Sequence, residues 1–75
     1  MGYEIIADDH GAIVYNNTDN RPRTRRLVHP KHSRAEHRHR EYAEEVIELA
    51  LERTLGSPTQ EEWDQAVEDV HKEML

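Results

Sequence analysis

The chain has 75 residues and a mass of 8.9 kDa, 35% hydrophobic and 35% charged, with no cysteine. That composition allows one small, marginal core, and it excludes disulfides, thiolate catalysis, Cys-ligated zinc and iron–sulfur clusters. No apolar run approaches the roughly 20 residues that span a bilayer and no signal-peptide core is visible, so a cytoplasmic protein without membrane contact is expected.

Residues 3–7 and 12–16 are short, β-prone segments separated by Asp8-Asp9-His10-Gly11, a turn cluster whose glycine accepts positive φ. The pattern predicts a β-hairpin over 1–16. One register sets Ile5 against Val14 and Ile6 against Ile13; a bulged turn shifts this by one residue. In either register both faces carry apolar side chains, so a two-stranded ribbon here needs cover on both sides. The helices supply one cover. A third strand, another copy or a partner supplies the second, or else Ile6 or Ile13 stays partly exposed.

Residues 17–32 are rich in Asn, Asp, Arg and Pro, which argues for an extended arm and against a helix. Within it, 24–28 is expected as a short third strand at the sheet edge, with Leu27 or Val28 turned inward.

Ser33-Arg34-Ala35-Glu36 matches a capping box and predicts a helix over about 34–55, with Gly56 and Pro58 closing it. Its apolar stripe is Tyr42, Ala43, Val46, Ile47 and Ala50, widened by Leu49, Leu51 and Leu55. Thr59-Gln60-Glu61-Glu62 is a second capping box. The helix over 60–74 carries Trp63, Ala66, Val67, Val70 and Met74 on one face. The short link between the helices makes 33–75 an antiparallel αα-hairpin. The expected fold is therefore α+β, a single domain over 1–75 made of hairpin, basic arm and helix pair.

Charge falls into blocks. The net charge is −6, yet residues 1–20 sum to −4, 21–40 to +7 and 41–75 to −9. The first helix also opposes its dipole: Arg34, Arg38 and Arg40 sit in its early turns, and Glu41, Glu44, Glu45, Glu48 and Glu52 follow. Such an order costs roughly 0.3–1 kcal/mol per charge near an end. An anion near those first turns offsets that cost, whether a phosphate backbone, an acidic protein surface or the chain's own acidic second helix.

His29, His32, His37 and His39 lie in the basic block, but their spacing is poor for a metal. Residues two apart on a helix point to nearly opposite sides, and surrounding cations disfavour a divalent ion. These histidines are read as widening a polar binding surface. Asp8, Asp9 and His10 are accounted for by the turn, Ser33 by its cap, and His71 as an edge histidine. No nucleophile, base and oxyanion site assemble, so neither an enzyme nor a cofactor nor a metal site is expected.

The expected function is therefore that of a small binding or regulatory protein, an inhibitor or adaptor. Small accessory proteins of phages and mobile elements share this composition. Its contact residues are Arg21, Arg23, Arg25, Arg26, Lys31, Arg34 and Arg38, with Tyr3 and Tyr15 as aromatic anchors. The partner is a protein with an acidic or nucleic-acid-like surface, and a homodimer is a further expectation. The alternative is direct nucleic-acid binding through 21–40. Against it, both flanking segments are acidic, and no aromatic precedes Tyr42 in the basic block to stack on a base.

Overall fold

Alternating side chains and a turn-forming tetrapeptide dictate a hairpin at the N-terminus. In the computed structural model, which describes residues 2–75, strand β1 (Tyr3–Asp8) pairs antiparallel with β2 (Gly11–Asn16). Ile5 lies opposite Val14 and Ile6 opposite Ile13, so the unbulged register is the one adopted. At the turn the Asp8 carboxylate accepts the His10 N–H at 2.8 Å. That bond, with the nearby His10 and Arg26 charges, holds the Asp8 carboxyl below its ordinary range. Gly11 has φ +148°, and a Cβ there would lie 2.5 Å from the Arg26 stem and 3.0 Å from the Leu27 carbonyl. Only glycine fits both the dihedral and the space.

Two helices follow, α1 (Glu36–Thr54) and α2 (Gln60–Met74). α1 packs on both strands and on α2. The core-facing side of the hairpin holds Tyr3, Ile5, Ala7, Ala12 and Val14. These meet Tyr42, Ala43, Val46 and Ala50 of α1 and Trp63, Ala66, Val67 and Val70 of α2. Tyr3 contacts Trp63 edge-on, with centroids 5.0 Å apart at 71°. This T-shaped geometry places a ring edge on the electron-rich face of its neighbour. Arg53 of α1 and Asp69 of α2 form an ion pair across the helix hairpin, and Gln65 donates to the same carboxylate. The two bonds hold the Asp69 carboxyl below its ordinary value.

At the second box the N-cap bond forms: the Thr59 hydroxyl accepts the Glu62 N–H at 3.3 Å. At the first it does not. α1 starts at Glu36 after Ala35, and no side chain caps it. Arg34 thus lies outside the helix, Glu36 is in the first turn and Arg53 in the last, which lessens the conflict with the dipole expected from the sequence.

The C-terminus of α1 also differs. The left-handed residue is Leu55, at φ 56°, rather than Gly56 alone, and Leu55 is 97% exposed. An L-residue there carries about 1–2 kcal/mol of backbone strain. Leu55 packs against almost nothing, so Leu55→Gly is expected to stabilise the protein by about 0.5–1 kcal/mol. The thermal midpoint should rise by about 3–6 °C, read by circular dichroism. An unchanged or lower midpoint would show that Leu55 makes compensating contacts.

Candidate interaction surface

The basic arm is ordered by hydrogen bonds to the outer edge of β2. Ala12 and Leu27 exchange N–H and C=O at 2.9 and 2.7 Å, Arg23 N–H reaches the Val14 carbonyl at 2.7 Å, and Asn16 N–H reaches the Arg21 carbonyl at 3.2 Å. The expected third strand at 24–28 is replaced by two isolated bridges, Ala12 with Leu27 and Tyr15 with Pro22. Thr24 is the reason. Three arm residues separate Arg23 from Leu27, whereas Ile13 alone separates Val14 from Ala12. The buried Thr24 hydroxyl fills the gap by accepting the Val14 N–H at 3.2 Å. Gln60 of α2 ties the arm down further by donating to the Arg23 carbonyl at 2.7 Å. Leu27 is the inward residue and Val28 stays exposed.

The second anchor is His39. The sequence assigns it to a polar binding surface, but the structure buries it fully, among the core side chains. Its Nδ1 accepts the His29 N–H at 3.0 Å, so its proton resides on Nε2, which donates to the Ser33 carbonyl at 3.1 Å. The ring thereby holds both ends of the segment that leads into α1. This explains why Ser33 does not cap the helix: its backbone is committed to His39 four residues inside it, and the helix begins only where the chain is free to turn.

His29, partly buried beside this anchor, packs its ring 5.0 Å from that of His32. Burial lowers its pKa from the ordinary 6.5, and repulsion from His32, Arg38 and His39 adds to the effect against attraction by Glu41. The unfolded chain therefore binds this proton more readily than the folded one. The stability contributed by neutral His29 is complete above about 6.5 and is lost as pH falls through that value toward the lower folded one. Urea midpoints should accordingly drop between about pH 7.5 and about pH 5.5, and less steeply in His29→Asn. Parallel slopes in the two proteins would remove His29 as the cause.

The cations of residues 21–40 fall into two groups. Arg23 pairs with Asp19 at 3.0 Å, Arg38 with Glu41 at 3.1 Å and Arg40 with Glu36 at 3.9 Å. Arg21, Arg25, Arg26, Lys31 and Arg34 are exposed and make no ion pair among the described residues. Arg25 diverges from the others. It borders shallow recesses of about 340 and 320 Å³ on α2, lined by Asp64, Val67 and Glu68 in one and by Glu68, His71 and Lys72 in the other. Below it the buried Tyr42 hydroxyl donates to the Val67 carbonyl at 3.3 Å and lies 3.4 Å from His71 Nδ1. Burial raises the Tyr42 pKa, and the charge of Arg25 opposes that rise. Among the described residues no group of three or more metal-ligating side chains converges, and no helix is long and apolar enough to cross a membrane.

The two tyrosines part company. Tyr3 lies on the helix-facing side against Trp63, whereas Tyr15 lies on the outer face beside Pro22. That outer face is formed by Glu4, Ile6 and Asp8 of β1 and Gly11, Ile13 and Tyr15 of β2. Ile6 is 56% exposed, and Ile13 and Tyr15 are half-buried. The Arg26 stem crosses the face over Gly11. The equal apolarity of the two hairpin faces is visible in the sequence; which one the helices cover is not, because the helix stripes fit either. The chain matches no protein-family model, and neither a curated protein nor a solved structure is significantly similar to it.

Proposed function

We propose that the protein is a non-catalytic binding module, an inhibitor or adaptor, that docks on an acidic protein surface through the outer face of its hairpin and the adjoining arm. The observation that carries this reading is the Ile6–Ile13–Tyr15 face, which lies away from the helices and is open at Ile6, with the stem of Arg26 crossing beside it. Apolar centres with aromatic and arginine neighbours have the chemistry of binding hot spots. Arg26 lies over Gly11 and Arg21 adjoins Pro22, which pairs with Tyr15; Lys31 and Arg34 follow in the segment that leads into α1. Opposite charge on a partner speeds encounter and rejects wrong surfaces.

Nucleic-acid binding by the same cations is the second reading, favoured by the five cations of residues 21–40 that lack ion pairs among the described residues. It leaves the apolar face without a role, and the flanking segments of −4 and −9 repel a polyanion.

Affinity capture from nuclease-treated host lysate separates the two. The expected result is one stoichiometric protein, retained by the natural chain and lost from both Ile6→Asp and the Arg21→Glu, Arg26→Glu pair. Capture that survives all these changes overturns the outer-face reading. So does binding to mixed DNA or RNA whose steep salt dependence is reduced by replacing Arg25 and Arg26 with alanine.

A further inference from the structure

The arm saturates the outer edge of β2 but nothing comparable covers β1. The N–H and C=O groups of Ala12, Val14 and Asn16 face the arm, so those of Gly11, Ile13 and Tyr15 face β1. On β1 the matching groups belong to Asp8, Ile6 and Glu4. The N–H and C=O groups of Tyr3, Ile5 and Ala7 therefore point outward. Among the described residues their one partner is Arg40 of α1, which reaches the Ile5 carbonyl at 3.5 Å. That is the outer limit of a hydrogen bond. β1 has neither proline nor lysine, and its two charged residues, Glu4 and Asp8, both lie on the outer face.

We propose that this edge, with the adjoining flank of α1, is an interface between two copies of the chain, related by a two-fold axis beside Ile5. The outward groups of Tyr3, Ile5 and Ala7 select the register. Ile5 pairs with Ile5 of the partner subunit and Tyr3 with Ala7 of the partner subunit. Glu4 then stands opposite Ile6 of the partner subunit, so no like charges are directly apposed.

Helix placement is compatible with this pairing. α1 packs on β1 as well as on β2, so a two-fold beside β1 brings the two α1 helices alongside each other on one face of the joined sheet. The same two-fold, perpendicular to the sheet, makes them antiparallel.

Charge agrees as well. Arg40 reaches Ile5, so the turn Arg40–Glu44 lies beside the axis. Arg40 and Glu44 are both exposed and, four residues apart, lie on one side of α1. Antiparallel contact brings Arg40 to Glu44 of the partner subunit, and the reverse. Ile47 of the same flank then meets the first turn of the partner's helix, and with Leu51 it lines an open recess of about 380 Å³, with Gly2, Tyr3 and Asn16, at the edge of the contact. The order of charge along α1, unfavourable within one helix, becomes complementary between two. A second copy is favoured over a foreign strand because this reciprocity needs nothing beyond the chain's own sequence. The dimer is held by the backbone of β1 and the flank of α1; on the outer face it adds only the apposition of Glu4 and Ile6, so it does not rest on the proposed function.

Sedimentation equilibrium over a concentration series tests it. The natural chain should pass from the mass of one chain to twice that mass. Arg40→Glu should weaken association by about tenfold or more, and Arg40→Glu with Glu44→Arg should recover most of it. Ala7→Pro, which removes an outward N–H, should also weaken it while helical circular dichroism stays unchanged. A natural chain that remains monomeric into the millimolar range overturns the proposal. So does a dimer indifferent to Arg40→Glu, or a charge-swapped double variant no better than the single one.

Discussion

Replacing His39 with leucine is expected to destabilise the protein by about 2–4 kcal/mol, because two backbone groups lose their partner at once. Leucine fills the buried volume but leaves the His29 N–H and the Ser33 carbonyl unpaired beside the core. An unmet polar group at a buried site costs about 1–3 kcal/mol. A domain of this length has a total stability of about 4–11 kcal/mol, so the change removes a large share of it. His39→Asn keeps an acceptor close to the Nδ1 position and should recover roughly half of the loss. Urea unfolding followed by circular dichroism gives both values. Amide exchange adds a local readout: the arm N–H of Leu27 should exchange faster in the leucine variant. If leucine is tolerated at no cost, the imidazole is not what fastens the arm to α1.

The second large effect centres on Trp63. It is fully buried, packs against Tyr3, and is the one described residue whose buried side-chain polar atom, Nε1, has no hydrogen-bond partner. Trp63→Ala should cost about 3–5 kcal/mol through the cavity it opens. That loss approaches the whole stability of the domain. Trp63→Phe should cost far less, under about 1.5 kcal/mol, because the lost ring volume is offset by removing an orphaned N–H. Equal losses for the two variants would mean that the indole N–H contributes favourably through a contact of its own.

These two residues mark what the sequence discloses and what it hides. Trp63 heads a stripe of Ala66, Val67, Val70 and Met74, and the period alone locates α2 and its buried face. The hairpin follows equally from the β-prone segments around the Asp9-His10 turn, but its register does not, because both faces are apolar and a bulged turn fits the same sequence. His39 falls on the side of Tyr42 and Ala43, a signal for burial that its place in a basic, histidine-rich block obscures. Its two hydrogen bonds are tertiary, joining residues six and ten positions apart, and no local pattern announces them. The same contacts override the Ser33 capping box. The irregular arm was legible as extended chain, but the substitution of a Thr24 hydroxyl for a backbone group was not. At the candidate surface the sequence supplies the cations. Which of them are already paired depends on side-chain reach, as with Arg23 and Asp19 across a turn.

The one-sided saturation of the sheet limits how it can grow. With β2 sealed by the arm, a molecule offers a single site for strand addition, and filling it consumes the site on both participants. Association by this route terminates at two and cannot propagate into a fibre, however concentrated the protein becomes. Loosening the arm, by contrast, would create a second bare edge and turn a self-limiting pair into a polymerising unit.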